Sequence, residues 1–286
     1  MAHDGGGLLG PRALWLGVGN PASARLAERA GAATLWVSSY CASAELRGVA
    51  DMSLISGVEM IDLARRVSLS VARAAVVLDC DSGFGDEHIW RQAMEEIARA
   101  TEVAGVCIED KQFPKRNSFY RDEQVMRDIS EFSRFIEVAV GVRDRYRPDL
   151  RVIARNEALV AGGTPEDVAL RLRAYGGAGA DGFFIQARAS EAELVAALEL
   201  VTGAGRPPVV LAPSAFPERA PSFWWSSGAG AVIHANQMLR LALRAQELAM
   251  GHLLSPDRAP AGLHDSMWTM RDIDALVSRP GSDSQP

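Results

Sequence analysis

Thr164-Pro165-Glu166-Asp167-Val168-Ala169-Leu170-Arg171-Leu172-Arg173-Ala174-Tyr175-Gly176-Gly177-Ala178-Gly179-Ala180-Asp181-Gly182-Phe183-Phe184-Ile185-Gln186 holds a helix start, a helix, a glycine stop and a buried strand, in that order. Thr164 suits an N-cap, and Pro165 suits the first helical turn, where its missing N–H costs nothing. Val168, Leu172 and Tyr175 recur at i, i+4 and i+7, one face of a helix. Gly179 follows as a helix stop. Gly182–Gln186 is short, apolar and continuous, as a strand covered on both faces should be. Two other junctions rhyme with this one: Arg29-Ala30-Gly31-Ala32-Ala33 and Glu102-Val103-Ala104-Gly105-Val106. Each places a glycine between a helical pattern and an apolar run.

Apolar runs of the same kind recur at Ala13–Val18, Thr34–Ser38, Ala75–Cys80, Val106–Asp110, Arg151–Arg155, Pro208–Ala212 and Ala231–His234, which with Gly182–Gln186 makes eight. Helical patterns follow them, such as Ile89, Ala93, Ile97 and Ala100, and Ser190 with Glu193 reads as a capping-box start. Eight strand–helix units in about 250 residues predict a single-domain α/β protein, a (β/α)8 TIM barrel. A doubly wound open sheet is the alternative, but no Gly-rich phosphate fingerprint follows any of the strands. A further C-terminal helix is expected around Met267–Val277, packed outside the barrel or on a neighbouring subunit. Residues 1–11 and 279–286 read as disordered tails.

The 286 residues are 48% hydrophobic and 23% charged, with 30 basic and 36 acidic side chains and a formal net charge of −6. Mild acidity argues against nucleic acid or an anionic membrane as the main partner. No apolar run approaches the ~20 residues that cross a bilayer. The start MAHDGGGLLGPR lacks the basic and apolar regions of a signal peptide. Three cysteines without metal-type spacing, Cys41, Cys80 and Cys107, point to a reducing cytoplasm, with Cys80 and Cys107 as small buried hydrophobes.

In a barrel of this kind, polar residues at the C-terminal ends of the strands face the active site. The third run ends in Asp79-Cys80-Asp81 and the fourth in Glu109-Asp110-Lys111. Three carboxylates on adjacent strand ends would repel one another, and a hard divalent cation such as Mg2+ resolves this. Alternatively they cap helices or pair with Arg155 and Lys111. Residues 111–127 form a long polar loop beside them, read either as a mobile lid closing over an anion or as a solvated charged loop. Arg155 leaves a buried strand and needs an anion, supplied by Glu157 or by a substrate. Ser38-Ser39-Tyr40, after the second run, offers donors for an oxyanion or forms a plain strand-end turn.

Taken together, Asp79-Cys80-Asp81-Ser82-Gly83-Phe84-Gly85, Glu109-Asp110-Lys111-Gln112-Phe113-Pro114-Lys115-Arg116-Asn117-Ser118 and Ala154-Arg155-Asn156-Glu157-Ala158 with Ala161-Gly162 resemble the isocitrate lyase/phosphoenolpyruvate mutase superfamily, over roughly Asn20 to Leu276. The second stretch is the most specific. It resembles the gating loop of the mutases and lacks the cysteine that lyases of the superfamily carry there. The resemblance implies a cytoplasmic homo-oligomer, a tetramer or dimer, acting on a small phosphorylated 2-oxo-acid-type substrate. It implies Mg2+ on Asp79, with Asp81 and Glu109 holding its waters. Ser38, the Ser39 and Tyr40 amides and Gln186 would bind substrate. Asp51, Lys115, Asn117 and Arg155 would be catalytic, with Lys115 and Asn117 on the lid.

Asn117 is the residue of the mutases where hydrolases tend to carry threonine. The expected activity is therefore interconversion of phosphoenolpyruvate and phosphonopyruvate. The alternative is a phosphonopyruvate hydrolase, or an enzyme of C–C or C–P bonds on a related 2-oxo acid. Departures cluster at the pocket edge. Gln186 stands where histidine is usual, Ser39-Tyr40 where Gly-Leu is usual, and Gly19 where histidine commonly precedes Asn20.

Overall fold

The computed structural model describes residues 8–120, 124–203 and 205–278. Eight parallel strands close into one barrel in sequence order. They are β1 (Ala13–Val18), β2 (Thr34–Val37), β3 (Ala75–Asp79), β4 (Gly105–Glu109), β5 (Arg151–Asn156), β6 (Gly182–Ile185), β7 (Val209–Leu211) and β8 (Ala231–His234). All eight expected runs are strands, shifted by a residue or so at their ends. The ring closes where β1 pairs with β8, Leu14 beside Val232. Around it lie α1 (Pro21–Arg29), α2 (Ser39–Ala42), α3 (Gly57–Ser70), α4 (Glu87–Ala100), α5 (Ile129–Tyr146), α6 (Pro165–Gly177), α7 (Glu191–Val201), α8 (Pro221–Ser226), α9 (Gln237–Leu253) and α10 (Met270–Val277). No helix among the described residues is long and apolar enough to cross a membrane.

Alternate residues of each strand point to opposite faces. Outward residues such as Val76, Leu78, Val106 and Ile108 join the helices in one continuous core. Inward residues make a second, smaller core of Trp15, Trp36, Val77, Cys107, Ile153, Phe184, Val210 and Ile233. The rings of Trp15 and Trp36 stack at 6.3 Å between centroids, and Phe184 meets Trp36 edge-on at 5.8 Å. The barrel is thus plugged by side chains rather than open. All three cysteines are free and buried, Cys107 within the plug and Cys80 in the outer core.

Helix starts follow the local sequence. Thr164 caps α6 in a reciprocal box with Asp167. Ser190 caps α7 by accepting from the Glu193 amide at 3.1 Å, without the return bond expected of Glu193. Gly31 and Gly179 adopt left-handed φ of 96° and 98°, as helix stops should. Gly105 does not: it is the first residue of β4, and its glycine serves packing instead. A Cβ there would lie 2.8 Å from Leu8 Cδ2, and one on Gly182 would lie 2.9 Å from Leu9 Cδ1. Leu8 and Leu9 pack against the inner core. Residues 1–7 and 279–286 of the expected tails lie outside the described residues, but Leu8 and Leu9 are docked, not loose. The C-terminal helix packs outside the barrel, against α1 of its own chain. Arg25 Nη1 donates to the carbonyls of Leu276 and Ser278 at 3.0 Å each.

Candidate active site

Continuing each strand's inward row beyond the plug gives the pocket. Trp36 leads to Ser38, Val77 to Asp79, Cys107 to Glu109, Ile153 to Arg155, Phe184 to Gln186 and Val210 to Ala212. Trp36 and Phe184 themselves line the pocket, together with Ser38, Tyr40, Asp51, Asp79, Lys115, Asn117, Arg155, Gln186, Ser214 and Asn236. The period of two that buries the plug therefore also selects the site, and Trp36 and Phe184, missed in the sequence, lie on that same period.

The three strand-end carboxylates share one buried, electrostatically linked cluster. Asp79 Oδ2 accepts from the Ser39 hydroxyl at 2.9 Å and from the Ser39 amide at 3.3 Å, so Ser39 turns its expected substrate donor toward Asp79. Asp79 Oδ1 accepts from the Asp81 amide at 3.3 Å. Asp81, at a left-handed φ of 47°, brings Oδ1 to 3.1 Å from Lys115 Nζ. Glu109 is 1% exposed and lies 3.4 Å from both Lys111 Nζ and Arg155 Nε. Even so, both Glu109 oxygens and Asp81 Oδ1 lack an aligned hydrogen-bond donor among the described residues. Burial raises the pKa of Asp79 and Glu109 and pushes Asp81 up to about 6, against the pull of nearby cations.

Lys111–Arg127 is the loop expected as a lid, and it lies closed over this cluster; residues 121–123 are outside the described residues. Its base is zipped by an antiparallel bridge between Lys111 and Met126. Lys115, 5% exposed, places Nζ 2.6 Å from Asp51 Oδ1. Asn117 Nδ2 donates to Asp51 Oδ2 at 2.7 Å. Burial alone would raise the Asp51 carboxyl, but Lys115 and Asn117 hold it below its ordinary range. Burial alone would likewise lower the Lys115 ammonium, but Asp51 and then Asp81 keep it well above its usual value.

Arg155 Nε donates to Glu157 Oε1 at 2.6 Å, and the guanidinium carbon sits 4.7 Å from the Phe184 ring centroid. Lys111 Nζ donates to the Arg116 carbonyl at 2.7 Å and to the Ser118 hydroxyl at 3.1 Å. Ser118 in turn donates to Glu157 at 2.7 Å. Arg188, just beyond β6, donates to the lid carbonyls of Ser118 and Tyr120. Nothing in the sequence marked Arg188 as a lid contact beyond a basic residue near a strand end.

The opposite wall is neutral. Gln186 spends its Nε2 on the carbonyls of Ala187 at 3.2 Å and Ala212 at 3.5 Å, and its Oε1 meets Arg155 Nη2 at 3.5 Å. Tyr40 is 36% exposed at the rim. Ser38 accepts from the Cys41 amide at 3.3 Å and keeps its own hydroxyl proton for another acceptor. Gly19 has a local reason: a Cβ there would lie 1.7 Å from a Glu45 carboxylate oxygen, so Glu45 fills the space a side chain at 19 would need. Burial pushes the Cys41 thiol up to about 12.

Asp51, Asp79, Asp81, Glu109 and Glu157 set five buried carboxylates against the three cations Lys111, Lys115 and Arg155. Counted formally, the carboxylates exceed the cations by two, and both Glu109 oxygens and Asp81 Oδ1 lack donors. Among the described residues no three carboxylate, imidazole or thiolate groups converge to enclose an ion by themselves. A divalent cation on one carboxylate, with waters reaching the others, fits both facts.

Residues 14–254 match the family model described as phosphoenolpyruvate phosphomutase. A phosphoenolpyruvate phosphomutase of Streptomyces hygroscopicus is 32% identical over 267 residues, covering 93% of this chain and 83% of that protein. A phosphonopyruvate hydrolase of Variovorax sp. is 33% identical over 229 residues, covering 79% and 77%. The crystal structure of a phosphoenolpyruvate phosphomutase from Streptomyces platensis subsp. rosaceus superposes with a TM-score of 0.85 at 32% identity, covering 92% of this chain and 90% of that one. A phosphonopyruvate hydrolase solved with oxalate and Mg2+ superposes at 0.83 with 28% identity, covering 92% and 89%. With the barrel, the strand-end carboxylates and the lid in place, the chain belongs to the phosphoenolpyruvate phosphomutase family and is an enzyme of that mutase family.

Proposed function

We propose that the protein is a Mg2+-dependent phosphoenolpyruvate mutase that interconverts phosphoenolpyruvate and phosphonopyruvate. The observation that carries this reading is the closed lid, whose Lys115 and Asn117 both dock on Asp51. From phosphonopyruvate, the C–P bond breaks and a P–O bond forms at the enolate oxygen, with no water or proton consumed. Such a site has to keep water from the phosphoryl group during transfer. A closed lid that buries Lys111, Lys115 and Ser118, with the partly buried Arg155, suits that demand.

Asp79 would hold Mg2+, with Asp81 and Glu109 on its waters; when bound, the ion supplies positive charge for the developing enolate. The negative excess and the donorless Glu109 oxygens support that assignment. Arg155, charged and fixed by Glu157, would hold the substrate's anionic group with the Ser38 hydroxyl and the first-turn amide of Tyr40. Gln186 would steady Arg155. Asp51 would stand beside the phosphoryl group, its charge held by Lys115 and Asn117.

Phosphorus NMR of the purified enzyme with Mg2+ and phosphonopyruvate tests the reading. A phosphoenolpyruvate resonance is expected. Free phosphate with pyruvate would replace it by the second reading, a phosphonopyruvate hydrolase, which the 33%-identical hydrolase relative favours. The exposed apolar side chains of Leu241, Leu248, Leu254, Trp268 and Met270 support a homo-oligomer built through the C-terminal helices, checked by light scattering.

A further inference from the structure

We propose that Ser39 is a positioning residue for Asp79, fixing the carboxylate through one oxygen and thereby setting the enzyme's affinity for Mg2+. The proposal rests on the reading above that Asp79 is the carboxylate that binds the ion. Ser39 is the first residue of α2 and is 1% exposed. Its hydroxyl and its amide converge on the same atom, Asp79 Oδ2, at 2.9 and 3.3 Å. Capping α2 is the task of Ser38, whose hydroxyl accepts from Cys41. The Ser39 hydroxyl is therefore not needed to start the helix.

A carboxylate turns freely about its last torsion unless something holds it. Asp79 lies in a cluster with two excess negative charges, where repulsion from Asp81 and Glu109 favours turning away from them. Two donors from one residue, on a backbone fixed by a capped helix, oppose that rotation. They occupy Oδ2, while Oδ1 accepts from the Asp81 amide at 3.3 Å. Without the hydroxyl, Oδ2 keeps only the longer bond from the Ser39 amide at 3.3 Å. Loss of a partner that orients a metal ligand typically weakens the metal by about ten- to hundredfold.

The test is calorimetric titration of Mg2+ into the full-length, chelator-stripped protein, repeated with Mn2+ by electron paramagnetic resonance. Ser39→Ala is expected to weaken both ions by about ten- to hundredfold. Ser39→Gly removes the same hydroxyl with no methyl group to place and is expected to give the same shift. Circular dichroism at the titration temperature identifies the folded variants. Affinities of a folded variant within twofold of wild type overturn the role of Ser39 while leaving Asp79 as the ligand. Wild type that binds neither ion overturns the metal reading itself, and the proposal with it.

Discussion

The two mouths of the barrel are made by the same eight strands and solve opposite problems. At the N-terminal mouth, Leu8 and Leu9 fill the space that Gly105 and Gly182 leave open. At the C-terminal mouth, the inward row turns from Trp36, Val77 and Phe184 to Ser38, Asp79 and Gln186 within two residues. Five carboxylates and two lysines are buried, with Arg155 partly buried beside them, where apolar groups would be more stable. One end contributes stability and the other gives stability up for chemistry.

The largest test of this contrast is Asp79→Asn. It is expected to lower kcat/KM on the order of a thousandfold, the scale of losing one major charge-stabilising group. The metal-free variant should melt no lower than wild type, because one charge of the negative excess is gone. A large loss of metal-free stability would break the comparison. Leu9→Ala belongs to the other mouth. It should cost about 1–2 kcal/mol in chemical denaturation, since Leu9 is only partly buried, and leave kcat/KM within twofold.

Within the catalytic mouth, Gln186→Ala separates the neutral wall from the charged one. Its loss removes a contact to Arg155, and kcat/KM is expected to fall about tenfold, mainly through KM. A loss as large as that of Asp79→Asn would mean that both walls carry the chemistry.

The smallest effect is electrostatic and lies in the scaffold. Glu28 accepts from the amides of Ala72, Arg73 and Ala74 at 2.6–3.2 Å. Burial opposes its ionisation, but these amides hold its carboxyl below the ordinary value. A lowered carboxylate stabilises the fold above its unfolded value, about pH 4.3, and loses that contribution as the pH falls through the lower folded value. Wild type should exceed Glu28→Gln by about 1 kcal/mol at neutral pH, after discounting for solvent screening. The gap should close in acid below about pH 4. A gap independent of pH would show that shape, not charge, is what Glu28 supplies.

Much of this is legible in the sequence. The strands declare themselves because residues covered on both faces must be apolar, so Ala75–Cys80 and Arg151–Arg155 read as runs rather than alternations. Arg155 announced a partner because a guanidinium leaving a buried strand needs one, and Glu157 is that partner. What stayed hidden depends on contacts between distant segments. Gly105 looked like a helix stop and is a seat for Leu8. Glu45 standing over Gly19 and Arg188 gripping the lid join residues that no local pattern connects. Ser39 looked like a substrate donor because the sequence cannot say toward which neighbour a hydroxyl turns.

The pairing of β1 with β8 has a consequence for how the chain comes into being. During synthesis, Ala13–Val18 emerges first and pairs with Thr34–Val37, but its other edge stays open until Ala231–His234 has been made. More than 200 residues separate the two halves of that seam, a long loop to close and a slow kind of contact to form. Until then the nascent sheet has two free edges, each a template for another strand. A truncation that removes β8 leaves β1 and β7 each with an unpaired edge, open to another strand.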